Sequence, residues 1–142
     1  MGDIQSYRDL DAWRVGMEIV VQTYEVCAHF PQQEKYELSA QMRKAAVSIP
    51  SNTAEGWGRG TPREGLYFVR VAIGSTAELD TQLEAARRLR FVREDPASRL
   101  QSLIDRQRQL LYGMRRERQS KLGVTVVLAC VLFWAMSASL LA

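Results

Sequence analysis

Residues 39–58 of this chain read SAQMRKAAVSIPSNTAEGWG. Residues of one apolar face recur there at steps of three and four, the spacing of a helix: Met42, Ala45, Ala46 and Ile49. Pro50 lies inside the pattern, so the helix either ends there or continues with a kink and one missing hydrogen bond. We expect it to continue, because residues 52–55 keep the register and Gly56-Trp57-Gly58 is the stronger stop.

Helical patterns also lie on both sides of this stretch. A first helix is predicted over residues 10–29, with Asp9 as its cap and Phe30-Pro31 as its end. Ser39 is the expected cap of the second helix, Thr61-Pro62-Arg63-Glu64 is a capping box that opens a third, and Asp95-Pro96 opens a fourth. The seams predicted for the first, third and fourth helices are, in order, Leu10, Trp13, Met17, Val20, Tyr24 and Cys27; Phe68, Ala72, Ser75, Leu79, Gln82, Ala86 and Leu89; and Leu100, Leu103, Ile104, Leu110 or Leu111, and Met114.

The pattern as a whole predicts an all-α protein. No strand alternation of useful length occurs, and short connections between long amphipathic helices favour antiparallel neighbours. We therefore expect an up-down-up-down antiparallel four-helix bundle over residues 9–121. An N-terminal arm, 1–8, precedes it, and an extra apolar C-terminal helix, 122–142, follows it.

Composition argues against most enzyme chemistry. The 142 residues include two cysteines and one histidine, too few for a disulfide framework, a zinc cluster or histidine-based catalysis. His29 is expected to cap the end of the first helix beside its dipole. The glycines of residues 56–60 follow a helix and lack the Lys-Ser/Thr of a phosphate loop. We predict no catalytic residue, no cofactor and no metal site.

The second-helix region carries a family resemblance. The segment QMRKAAVSIPSNTAEGWGR, residues 41–59, together with Phe30-Pro31 before it, resembles the signature of the bacterial four-helix bundle proteins encoded in 23S rRNA intervening sequences. The third helix matches the same family, and Asp9-Leu10 with Trp13 resembles its opening. The resemblance covers about residues 9–114; its third-helix positions are Phe68, Ala72, Gly74, Ser75, Glu78, Leu79, Gln82 and Leu83.

The resemblance implies a small cytosolic bundle that assembles as a homopentamer. The family is similar in fold to the accessory variability protein of diversity-generating retroelements, which binds a reverse transcriptase and nucleic acid. No activity is established for most members. Family members usually end soon after the fourth helix, so the apolar tail of this chain is a departure.

Seven polar residues of the second and third helices are candidates for a shared polar layer. Those after Pro50 either form a binding site, or satisfy backbone groups that the proline frees and pair between helices or subunits. We favour the second interpretation. A polar layer in an apolar seam also fixes register and oligomeric state. The residues are Arg43, Asn52, Glu55, Arg59, Ser75, Glu78 and Gln82.

Basic residues concentrate late in the chain. Residues 1–98 carry 12 Lys and Arg against 14 Asp and Glu, whereas residues 99–121 carry 7 against 2. Such arginines usually form a solvated helix face, but repeated around a ring of subunits they would attract phosphates without reading sequence. The candidate nucleic-acid-binding residues are Arg87, Arg88, Arg90, Arg93, Arg106, Arg108, Arg115 and Arg116.

Residues 122–142, LGVTVVLACVLFWAMSASLLA, contain no charged residue. A helix over residues 122–141 is about 30 Å long, which is the thickness of a bilayer core, and basic residues just before it would keep the bundle cytoplasmic. Two alternatives stay open: the tail packs against helix four or other subunits, or it is a frame-altered end without a selected role.

The sequence thus predicts a non-catalytic, oligomeric bundle that associates with nucleic acid or with a nucleic-acid-processing protein in the cytoplasm. The alternative is a structural scaffold attached to the inner membrane by residues 122–142, with no nucleic-acid role.

Overall fold

The stretch around Pro50 forms one unbroken helix within an all-α fold. The computed structural model describes the backbone of residues 4–140 and the side chains of residues 4–124, and residues 4–140 contain no strand. The four helices are α1 (Asp11–Cys27), α2 (Leu38–Gly58), α3 (Pro62–Arg88) and α4 (Glu94–Leu140). Short 3-10 turns lie at Tyr7–Asp9 and Gln32–Lys35.

The predicted continuation of α2 through Pro50 is confirmed, since the helix ends only at Gly58. The start of α3 is confirmed as well: the Thr61 hydroxyl oxygen accepts the Glu64 N–H at 3.3 Å, and Pro62 is the first helical residue. The second arm of this cap differs from a capping box. The Glu64 carboxylate accepts the Thr61 hydroxyl proton at 2.7 Å rather than a backbone N–H.

Three of the predicted caps are wrong. Asp9 belongs to the turn before α1, where its carboxylate accepts the backbone N–H of Ser6 at 2.9 Å. The N-cap of α1 is Leu10 rather than Asp9, and the N-cap of α2 is Glu37 rather than Ser39. Neither N-cap residue caps its helix with a side-chain hydrogen bond. The fourth helix begins at Glu94, so Asp95 lies inside its first turn. A carboxylate there interacts favourably with the positive end of the helix dipole.

The predicted seam of α1 is wrong in part: Cys27 lies on the buried face, but Met17 and Tyr24 do not. The buried face consists of Ala12, Val15, Gly16, Ile19, Thr23, Val26 and Cys27. Met17 and Tyr24, both assigned to the seam, are 39% and 50% exposed. Both stripes have the three-and-four spacing, and the smaller residues lie inward because they let α1 approach α2 closely. At the contact, a Cβ added to Gly16 would lie 3.2 Å from Cβ of Pro50.

Each helix contacts its neighbours along the chain, and α1 also contacts α4. The buried core between them contains Ile19, Met42, Ile49, Leu79, Leu83, Leu100 and Ile104. The seams of α3 and α4 are confirmed in part: Ala72, Ser75, Leu79 and Ala86 are buried on α3, and Leu100, Ile104 and Leu111 are buried on α4, whereas Leu89 is 56% exposed. Gln107, which lies outside the predicted seam, is fully buried. The Gln107 amide donates to the Ala12 carbonyl at 2.9 Å, which joins α4 to the first turn of α1.

The prediction of a transmembrane helix over residues 122–142 falls almost entirely outside the described side chains. Within the part of the chain that the structure does describe, none of the helices is both long enough and apolar enough to cross a membrane.

Candidate functional site

Two members of the predicted polar layer meet through a third residue, Ser48. The Asn52 side-chain amide donates to the Ser48 carbonyl at 2.7 Å and to the Ser48 hydroxyl at 2.9 Å. The Ser48 and Ser75 hydroxyls are 2.8 Å apart, so this contact joins α2 to α3. Sequence reasoning missed Ser48, although its position four residues before Asn52 was a usable signal.

The side chains after Pro50 do not replace the hydrogen bond that it removes. Proline at position 50 leaves the Ala46 carbonyl without its usual N–H partner. The side chains of Ser51, Asn52 and Thr53 instead donate to the next carbonyls along the helix, those of Val47, Ser48 and Ile49. Among the described residues, none of the side chains donates to Ala46. The interpretation that these side chains satisfy the backbone group freed by Pro50 is therefore wrong. The contact between α2 and α3 is made by Ser48 and Ser75.

The other predicted members form separate pairs. Arg43 donates to the Lys35 carbonyl at 2.8 Å, and its guanidinium lies 5.7 Å from the centre of the Tyr24 ring. Glu55, in the last turn of α2, and Arg59, just after its end, form an exposed ion pair. Gln82 donates to Glu78 at 3.1 Å on α3. The seven predicted residues thus do not converge on one binding site.

Four of the eight predicted nucleic-acid-binding arginines have intramolecular partners. Arg108 contacts the carboxylates of Asp80 and Asp105 at 2.6 and 2.9 Å. Arg87 pairs with Glu94 at 3.4 Å, and Arg88 pairs with Glu84 at 2.7 Å. The Arg115 guanidinium lies 4.5 Å from the centre of the Tyr112 ring, a cation–π contact. Their charges are therefore at least partly neutralised or shielded.

The remaining four are exposed and form no ion pair within the described residues: Arg90, Arg93, Arg106 and Arg116. Arg99, also exposed, is equally unpaired there. An exposed guanidinium without a carboxylate partner keeps five donors free in a planar fork that suits a phosphate. These residues give the later part of the bundle its available positive charge.

An apolar groove lies between α1 and α4 on the outer side of the bundle. It has a volume of about 730 Å³, and Met17, Val21 and Leu103 contribute its apolar walls. Val21 is 53% exposed. Sequence reasoning missed this surface because it assigned the same α1 stripe to the core.

Cys27 is a buried free thiol. Burial raises the pKa of the Cys27 thiol, while nearby Arg43 and the hydrogen bond to Ser39 oppose that rise. A thiol with a raised pKa is a poor nucleophile at neutral pH, since the thiolate is the reactive form. Within residues 4–124, His, Cys, Asp and Glu side chains form no group of three or more that could hold a metal ion.

The fold and these surfaces define an all-α, four-helix protein with several exposed arginines in its later part. The sequence model of the family described as 23S rRNA-intervening sequence protein matches residues 8–113, and the chain belongs to that family. This finding confirms the resemblance read from residues 41–59.

A solved structure supports the fold. A crystal structure of a protein of unknown function from the S23 ribosomal protein family of Bacteroides thetaiotaomicron is similar, with a TM-score of 0.69 and 15% sequence identity. The match covers 74% of this chain and 95% of that one. No curated protein matches the chain.

Proposed function

We propose that this chain is a non-catalytic scaffold that self-associates and binds nucleic acid through its phosphates. The observation that carries the proposal is a set of exposed arginines that form no ion pair within the described residues: Arg90, Arg93, Arg106 and Arg116. Contacts from arginine to phosphate supply affinity and position but do not read base sequence. The chain therefore acts on nucleic acid as a class, directly or beside a nucleic-acid-processing protein.

The arrangement proposed for the scaffold is an up-down-up-down antiparallel bundle. Contacts between the end of one helix and the start of the next support it: the Cys27 thiol lies 3.8 Å from the Ser39 carbonyl oxygen, and Arg87 pairs with Glu94. The opposite ends also meet, since Gly56 and Gly65 approach closely. Helices joined by short connections and paired in this way run in opposite directions.

Self-association is supported by the outer stripe of α1. Met17, Val21 and Tyr24 lie on one face of that helix, opposite the buried face, and each is at least 39% exposed. An apolar stripe of this kind is typical of an interaction surface. The homopentamer implied by the family resemblance would use such a stripe. Light scattering should show smaller particles for Val21→Glu than for the parent, and no change would contradict the use of this stripe.

The proposed binding to nucleic acid predicts a steep salt dependence. Each phosphate neutralised on a single strand lowers the slope of log K against log salt by about 0.7, so three or four contacts give a slope of about −2 to −3. The measurement is fluorescence anisotropy of a labelled single-stranded RNA with the full chain, titrated at several salt concentrations. No binding at low salt, or a slope near zero, would contradict the proposal.

The second candidate function is a scaffold attached to a membrane. It is favoured by the uncharged sequence of residues 122–142 and by the basic residues just before it, among them Arg116 and Lys121. The full chain would then sediment with membranes and resist extraction by salt and alkali. Leu132→Lys should shift protein away from the membrane fraction, because a charge at mid-span costs about 2.5–3.5 kcal/mol on insertion scales. Equal partitioning of both proteins would reject the anchor.

A further inference from the structure

A second cavity, of about 450 Å³, lies at one end of the bundle. It is formed by the last turns of α1, the connection between α3 and α4, and the first turns of α4. Its lining combines three arginines, Arg90, Arg93 and Arg99, and the imidazole of His29 with apolar groups, among them Phe91. The sequence analysis placed two of these arginines among dispersed helix-face charges and assigned His29 to a helix cap.

The backbone at Arg90 is unusual. Its φ is 60°, the one positive value for a residue other than glycine in the described chain. Arg90 follows the end of α3, and the next N–H, that of Phe91, donates back to the Ala86 carbonyl at 2.9 Å. This is the closing bond of a Schellman motif, in which glycine is the usual residue at the left-handed position. Arginine there is unfavourable for the fold, and strained residues of this kind cluster at functional sites.

Neighbouring groups hold the cavity in shape. The Phe91 ring lies 5.8 Å from the Phe30 ring, which anchors the connection to the end of α1. The His29 Nδ1 atom lies 3.0 Å from the Glu25 carbonyl oxygen, a hydrogen bond that orients the imidazole. The cavity is therefore supported on the α1 side and on the side of the connection.

The charge of the cavity is positive and largely uncompensated. Within the described residues, Arg90, Arg93 and Arg99 form no ion pair. The one carboxylate in the lining belongs to Glu25, which accepts a hydrogen bond from the Gln22 amide at 2.8 Å. Three guanidinium groups against one carboxylate favour an anion with several oxygens.

We infer that this cavity binds a nucleotide, with its phosphate on the arginines and its base against the apolar residues of the lining. The inference rests on the proposed nucleic-acid function and identifies one of its contact points. A volume of about 450 Å³ lies within the range of small-molecule sites and exceeds what inorganic phosphate alone requires. The phosphate comes from a free mononucleotide or from a nucleic-acid strand, and both present the same group.

Arg90→Gly tests this inference without harming the fold. Glycine is the preferred residue at a left-handed helix end, so the variant should melt at the same or a higher temperature than the parent while losing one guanidinium. Arg99→Gln is the second variant. Arg88→Gln is the matched control, because Arg88 is exposed on the preceding turn, does not line the cavity and pairs with Glu84.

Binding of AMP and of a 5′-phosphorylated RNA oligonucleotide to the full-length proteins would be measured by calorimetry and anisotropy. We expect Arg90→Gly and Arg99→Gln each to weaken binding about tenfold, and Arg88→Gln to leave it unchanged. Loss for both probes assigns the cavity to nucleotides in general, and loss for the oligonucleotide alone assigns it to strands.

Unchanged binding in both cavity variants, or an equal loss in Arg88→Gln, would overturn the inference. Arg106 and Arg116 lie outside this cavity and test the proposed function separately. The proposed function fails if RNA binding is unchanged in the cavity variants and is also unchanged when Arg106 and Arg116 are replaced.

Discussion

Ile19→Ala is expected to lower the free energy of unfolding by about 2–5 kcal/mol, the usual cost of truncating a buried aliphatic side chain to alanine. Ile19 is fully buried on α1 in the main core cluster. Met17→Ala, two residues earlier, should cost less than about 1 kcal/mol, because Met17 lies on the outer stripe and is 39% exposed.

Urea unfolding followed by circular dichroism gives both values. The titrations should be repeated at several protein concentrations, because self-association adds stability that depends on concentration. If Met17→Ala proved the more damaging variant at every concentration, the seam through Leu10, Met17 and Tyr24 would be the core face and the register of α1 described above would be wrong.

A second large effect is expected where α2 and α3 approach closely at Gly56 and Gly65. A Cβ added to Gly65 would lie 3.0 Å from the Gly56 carbonyl oxygen and would overlap the Arg118 guanidinium. The arginine can move, but the backbone carbonyl can retreat only if the two helices separate. We therefore expect Gly65→Ala to destabilise the protein by about 1–3 kcal/mol, the usual cost of overpacking.

Gly74→Ala is the matched control on the same helix. Its added Cβ would meet no atom within 4 Å, and alanine restricts the unfolded backbone more than glycine does. This variant should stabilise the protein by about 0.5–1 kcal/mol. Thermal unfolding of the two variants should give shifts of opposite sign. A melting temperature for Gly65→Ala that equals or exceeds that of the parent would show that α2 and α3 are not in close contact at Gly65.

The sequence alone predicted the structure correctly where the residues that determine it are close together along the chain. Pro50 interrupts one hydrogen bond, but the residues on both sides keep the helical register, and α2 continues through it. The start of α3 follows from Thr61 and Pro62 because a cap and a proline act within a single turn. Family membership likewise follows from one continuous segment, residues 41–59.

The register of α1 was not predictable from spacing alone. Two stripes at three-and-four spacing are present on that helix, and the stripe with larger residues was taken as the core. The close contact of Gly16 with Pro50 selects the other stripe. Such a contact between two helices cannot be seen in the apolar pattern of either helix alone. Larger residues such as Met17 and Tyr24 are therefore displaced to the outer face.

The candidate site was only partly predictable for a similar reason. The sequence identified the arginines but not their partners, because Asp80 and Arg108 lie far apart along the chain and meet only when α3 packs on α4. The cavity at the bundle end depends on the left-handed backbone at Arg90. When the position is not glycine, no residue pattern indicates a left-handed backbone.

Binding to nucleic acid through unpaired arginines is tested most directly by comparing two double variants in the salt titration. Arg106→Gln with Arg116→Gln removes two exposed guanidinium groups that have no ion pair among the described residues. Arg59→Gln with Arg88→Gln removes two exposed arginines that pair with Glu55 and Glu84. Both variants lower the net charge by two, so any long-range attraction changes equally.

The account predicts that the first variant reduces the steepness of log K against log salt by about 1.4, two phosphate contacts at about 0.7 each on a single strand. The second variant should keep nearly the full slope. Equal slopes for the two variants, or a larger loss when the paired arginines are replaced, would contradict the account.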